Sequence, residues 1–233
     1  MAKVRIDEVP AWIADRLLAR QEFYRGRQSA WLFDRSLLLQ TYRQGVSGLA
    51  SITSAEPRNA LRLALDILTS KDVRFHALIH DQEADEQDRI NDLERFATGL
   101  WREVGRRWKL SGGRSLLRDL DWFVLMGGYA IAPLVTRGPS GDVGFSIRAL
   151  APMEVFPDYD ADGMSAVYHA YKTTMREARP RFASMTRRNG WDLRSLDGKS
   201  DADEVEVVNS FWLEEEGVYN CLLVNGALVK KPT

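Results

Sequence analysis

The sequence predicts an α+β protein, with helices first and antiparallel hairpins after. Three observations carry that expectation. Between residues 11 and 126 most apolar residues recur every three or four positions, the period of an amphipathic helix. From Tyr129 onward the period shortens to two, and Gly, Pro, Asn and Asp divide the stretches, the pattern of strands joined by turns. The two patterns are segregated along the chain, the order of an α+β fold.

Each element follows from its own spacing. After Pro10, residues 11–24 place Trp12, Ile13, Leu17 and Leu18 on one side of a first helix. Trp31, Leu32, Leu38, Leu39 and Tyr42 do the same for a second over residues 29–43, which Gly45-Val46-Ser47-Gly48 ends. Ser54 reads as the cap of a third helix, with Pro57 in the first turn and Leu61, Ala64, Leu65 and Leu68 as its stripe. Then Val73, Phe75, Ala77 and Ile79 alternate, a strand signature. A long helix follows from Glu83 to Trp108, striped by Ile90, Leu93, Ala97, Leu100, Trp101, Val104 and Trp108. It opens on Glu83, Asp85, Glu86 and Asp88 and closes on Arg106, Arg107 and Lys109, an order that suits the helix dipole. Ser111-Gly112-Gly113 ends it, and a helix over Ser115–Met126 stops at Gly127-Gly128.

The second half predicts hairpins. Tyr129–Arg137 and Val143–Leu150 flank a Gly/Pro/Asp turn, and Phe156–Asp158 returns through an aspartate turn into Met164–Thr174. Residues 176–203 are polar with little apolar period and read as a surface excursion. Val205, Val207, Phe211 and Leu213 lead to Gly217, Val218–Val224 returns, and Asn225-Gly226 is the strongest short hairpin signal. One short stretch follows, so the chain reads as cut short. In segments, 1–50 is an N-terminal helical part, 51–128 a larger helical part and 129–233 the antiparallel part. Internal repeats, low-complexity tracts and a convincing linker are missing from the sequence.

Composition narrows the function. Hydrophobic residues make up 45% and charged residues 28%, with a net charge of −1, ordinary for a soluble globular chain. Such a chain exerts no global pull on nucleic acid or an anionic membrane. Only seven of the cations are lysine, and arginine serves interface ion pairs and phosphate contacts alike. The single cysteine, Cys221, sits in an apolar stretch and is expected to be a buried hydrophobe in a reducing compartment. The N-terminus lacks the pattern of a signal peptide, and no apolar run approaches the ~20 residues of a membrane span, so a soluble, intracellular chain is expected.

Motifs for chemistry are weak. Asp158, Asp160 and Asp162 followed by Gly163 imitate the start of a calcium loop, but the twelfth place is His169, not Glu, and the flanks are β-like. Those four residues are expected to form a turn, as are Asn225 and Gly226. His76 and His80 would lie about 13 Å apart on one face of a strand, too far to share a zinc. No Gly-x-Ser-x-Gly elbow occurs. Ser111–Ser115 lacks the ending of a phosphate-binding loop. No cofactor or metal is expected. Arg102, Arg106, Arg107 and Lys109 form a short basic patch, and Arg187-Arg188 another; both are candidates for subunit or DNA contact.

The order of these segments resembles a known family. Residues 115–134, SLLRDLDWFVLMGGYAIAPL, then Ile147–Leu150, Pro152, Glu154 and the stretch Val155-Phe156-Pro157-Asp158 follow the succession seen in portal proteins of tailed bacteriophages. The acidic turn Asp160-Ala161-Asp162-Gly163, the tyrosines Tyr168 and Tyr171, and the earlier run Asn59–Ser70 extend the resemblance over roughly residues 55–231. It implies the N-terminal wing portion of a protein that forms a homo-oligomeric ring, a dodecamer of about twelve copies, at one capsid vertex of the virion. It also implies assembly in the host bacterial cytoplasm. Double-stranded DNA would pass through that ring during packaging and ejection. Major capsid protein, the terminase large subunit and head–tail adaptor proteins would be its partners. In that family the aspartate element is a hairpin turn and no catalytic residue exists to carry over, so no enzyme is expected. The stem, clip and crown of such proteins have no counterpart here. Two other readings stay open: another head–tail adaptor or minor capsid protein, and a hydrolase using carboxylates of residues 81–94 and 158–162.

Overall fold

The computed structural model describes residues 8–41, 54–70, 73–77, 86–126, 128, 130–137, 143–180, 182, 198, 200–214 and 217–232. The fold is α+β. Helices α1 (Val9–Leu38), α2 (Glu56–Thr69), α3 (Glu86–Leu110) and α4 (Leu116–Leu125) come first. Strands β1 (Ala130–Arg137), β2 (Val143–Leu150), β3 (Val155–Asp160), β4 (Gly163–Thr174), β5 (Glu204–Glu214), β6 (Gly217–Val224) and β7 (Ala227–Lys230) follow. The chain divides into two compact units, Met1–Ser29 with Met153–Thr233, and Ala30–Pro152. These cut across the sequence segments 1–50, 51–128 and 129–233, because the start of α1 packs with strands from the far end of the chain.

In the first unit β3-β4-β5-β6-β7 form a five-stranded antiparallel meander. Val9, Ile13 and Leu17 of α1 are buried in one cluster with Phe156, Tyr168, Val208, Trp212 and Leu223. Trp12 meets Trp212 edge-on at 5.4 Å, and the Tyr24 hydroxyl donates to the Pro157 carbonyl at 3.1 Å. A second cluster joins Val205, Val207, Leu222, Val224 and Val229 to Met175, Ala178 and Phe182. Neighbours along β5 and β6 therefore belong to opposite faces, which is why Cys221-Leu222-Leu223-Val224 is an unbroken apolar run rather than an alternating one.

Two sequence readings need correction here. Residues 11–24 and 29–43 are not separate helices, because α1 runs through Gly26 to Leu38. A lone glycine costs a helix only about 1 kcal/mol, and the residues around it are good helix formers. Residues 176–203 are not wholly a surface excursion. Residues 175–180 and 182 are helical, and Met175, Ala178 and Phe182 are buried. Their i, i+3, i+7 spacing is one helix face, too sparse to stand out in a polar tract.

In the second unit, α3 packs on α4 and on the β1–β2 hairpin. Val104, Leu116 and Leu120 form its buried centre, flanked by Leu100, Trp101, Trp108, Phe145, Ile147 and Ala149. Helix α3 ends as its glycines predict. The Gly112 N–H donates to Lys109 O at 3.1 Å and the Gly113 N–H to Trp108 O at 3.0 Å, with Gly112 at φ +95°, the paired bonds of a Schellman cap. The Trp108 indole N–H then donates to Asp119 Oδ2 at 2.7 Å, fixing α4 against α3. The expected strand near residue 75 is corrected as well. Residues 73–77 carry no regular structure; they lie along α3, with Phe75 6.2 Å from Trp101 and the Ala77 N–H bonded to Glu94 at 3.1 Å. Among the described residues no strand pairs with this segment to complete a ladder.

Candidate functional site

The most distinctive surface feature is a groove of about 1120 Å³ along α3 in the second unit. Helix α3 has two unlike sides. Its apolar stripe, including Leu100, Val104 and Trp108, is committed to the core. The polar side carries Arg95, Arg102, Arg106 and Lys109 at i, i+7, i+11 and i+14, within an arc of about 60° and along about 21 Å of axis. Arg74 and His76 face the same groove, and its floor includes Phe75 and Trp101. At Gly99 and Gly105 an added side chain would meet nothing within 4 Å, so the helix backbone is open to a ligand there. Ser115, Leu116 and Leu117 from the start of α4 line one end.

The electrostatics favour an anion. Five guanidinium or ammonium groups line the groove against one carboxylate, Glu94. That carboxylate is occupied, accepting from the Ala77 N–H and lying 3.6 Å from His76 Nδ1. Arg106 is shared with Glu103, which it binds through two nitrogens at 2.8 Å while Arg107 Nε binds the same carboxylate at 2.7 Å. Hydrogen bonds from Arg106 and Arg107 hold the Glu103 carboxyl at about 2, far below its ordinary value. Arg95 lies 3.8 Å from Asp92. Among the described residues, Arg74, Arg102 and Lys109 pair with no carboxylate.

The structure sorts the basic patch read from sequence. Arg102, Arg106 and Lys109 come together in the groove, whereas Arg107 does not line it and binds Glu103. Arg74 and Arg95, which the sequence reading passed over, belong with the first three. The helical period could have found Arg95; only the packing of residues 73–77 brings in Arg74. A second basic groove of about 700 Å³ holds Arg58, Arg62, Arg114 and Arg118. There Arg118 and Arg62 both lean on Asp66, at 3.3 and 4.0 Å, so it is the less available of the two. Arg187 and Arg188 lie outside the described residues, as do His80 and residues 81–85.

The aspartate element divides in two. Asp158 is a strand residue, not part of the turn: it lies in β3, partly buried, 3.7 Å from Arg16 and 3.2 Å from Arg20 of α1. The register shift beyond Asp158 leaves one extra residue, Ser165, in β4. Asp160 pairs with Gly163 across a tight turn, and its carboxylate accepts from the Asp162 N–H at 3.0 Å, an Asx turn. Gly163, at φ +128°, supplies the left-handed conformation that ends it. Asn225 and Gly226 have φ of 49° and 77°, as a two-residue type I′ turn requires. Asn225 also extends the sheet, donating its N–H to Glu206 O and accepting the Glu206 N–H on Oδ1, both at 2.9 Å.

His169 lies 3.4 Å from Glu154 and stacks on Tyr171 at 4.7 Å. Burial pushes the Cys221 thiol up to about 12. Among the described residues no group of three or more His, Cys, Asp or Glu is placed to hold a metal ion. Nor is any described helix long and apolar enough to cross a membrane. No protein-family model matches the chain, and no curated protein matches it at a significant level.

Proposed function

We propose that this chain is the wing portion of a portal ring, a structural conduit for double-stranded DNA at one vertex of a phage capsid. The observation that carries the reading is the succession of elements over residues 116–174. Helix α4, the β1–β2 hairpin, the turn at Pro152–Glu154, and the β3–β4 hairpin with its acidic turn follow one another in the order on which the family resemblance rests. Apolar exposure adds support. Leu63 and Ile67 on α2 and Leu93, Phe96 and Leu110 on α3 are each more than half exposed. Residues of this kind, repeated on two helices of the unit, suit side-to-side contacts between copies.

In this reading the protein performs no bond chemistry. It holds a ring open, carries DNA past its subunits, and offers surfaces to a packaging motor and later to tail adaptors. Electron microscopy of the purified protein tests it. Class averages with about twelvefold symmetry and an axial hole are expected. A different ring order would transfer the chain to the head–tail adaptors. Uniform particles of one or two copies, at concentrations where rings form, would overturn the ring reading altogether.

A further inference from the structure

We infer that the groove along α3 is a contact site for the phosphate backbone of duplex DNA. The inference deepens the portal reading and rests on it for the identity of the polyanion. Arg95, Arg102, Arg106 and Lys109 make a straight cationic stripe about 21 Å long. One strand of a duplex rises about 3.4 Å of axis per phosphate, so the stripe spans about six base pairs, and its four cations meet phosphates where the backbones wind past it. Arg74 adds a cation from the facing wall, and Thr98 and Ser115 add short donors along the same surface. The Ser115 side chain makes no cap bond to α4, so first-turn N–H groups at the groove's end add to the attraction for an anion. Arrays of this kind read charge spacing rather than base edges, so contact is independent of sequence. It is also weak at physiological salt, as a conduit requires, because each neutralised phosphate releases a counterion that added salt drives back.

Fluorescence anisotropy with a labelled 30-base-pair duplex, titrated between about 50 and 200 mM salt, tests the site. Four to five neutralised phosphates give a slope of log K against log salt of about −4. Arg102→Ala combined with Lys109→Ala is expected to flatten that slope by about 2 and to weaken binding equally for duplexes of different sequence. Arg107→Ala, off the stripe and held by Glu103, is expected to change neither. All three positions are exposed, and circular dichroism checks that the variants fold. An unchanged slope in the double variant overturns the proposal, as does undetectable binding at 50 mM salt or equal competition by polyglutamate of matched charge. Particle mass, measured on the same samples, separates the two readings. Loss of DNA contact with intact rings supports the groove. Loss of rings with DNA contact unchanged makes the groove a subunit interface and overturns it as a DNA site. DNA contact by a protein that never forms rings leaves the groove standing and removes the portal reading.

Discussion

Replacing Ile13 by Ala probes the packing of the first helix on the far end of the chain. Ile13 is completely buried among Val9, Leu17, Trp212, Val208 and Leu223, so the change removes three carbons from a filled core. At about 0.8 kcal/mol per buried methylene, the transfer loss is about 2.4 kcal/mol. The cavity left by incomplete collapse adds about 1 kcal/mol more, which places the total near 3–4 kcal/mol, within the range for such truncations. Leu18→Ala is the control: its side chain is 66% exposed, and substitution there is expected to change stability by less than about 0.5 kcal/mol. Native-state hydrogen exchange at the β5 and β6 amides is the assay, because it reports the opening free energy of the unit that holds Ile13. Protection of those amides should fall by the full 3–4 kcal/mol in Ile13→Ala and hardly at all in Leu18→Ala. Equal effects of the two variants, or β5 protection untouched by Ile13→Ala, would refute the packing of α1 on this sheet.

Three further outcomes follow from local geometry. Cys221 is fully buried with its thiol pushed from 9.0 to about 12, so a thiol reagent at pH 8 should label it only at the rate of unfolding. A raised acid pKa favours the neutral folded form, so the contribution of Cys221 to stability is whole below about pH 9 and is lost as pH climbs toward 12; a denaturation series across that window measures it. Gly113→Ala would drive a methyl into the Trp108 indole. Displacing that ring breaks its bond to Asp119, and a loss of about 1–3 kcal/mol with an altered tryptophan spectrum is expected.

What was legible in the sequence was what local rules decide. The long stripe of α3, the Gly112-Gly113 stop and the Asn225-Gly226 turn each depend on residues within a turn or two of one another, and each stands in the structure as read. Long-range partnership was not legible. Tyr24 bonds to Pro157 across 133 positions, and nothing in residues 11–24 names that partner. The alternation at residues 73–77 was real, yet a strand also needs a neighbour, and the sequence does not supply that information. Met175, Ala178 and Phe182 form a helix face of three residues in a polar tract, below what a period can announce.

The candidate site was half legible for the same reason. Arg102, Arg106 and Lys109 sit on one side of a helix whose period the sequence displays, and Arg95 continues the same line. Arg107 is close in sequence but turned toward Glu103, and Arg74 joins only because Phe75 packs on Trp101. Asp158 was grouped with its neighbours by spacing, whereas its partners, Arg16 and Arg20, come from a helix more than 130 positions away.

The central claim is assembly, and the particle mass of the purified protein in solution tests it most directly. Each chain weighs 26.5 kDa, so a closed ring of about twelve copies gives a discrete species near 320 kDa. That species, persisting on dilution, is the result expected of a portal wing. A single population at the mass of one or two chains, across the concentrations at which rings assemble, would contradict it.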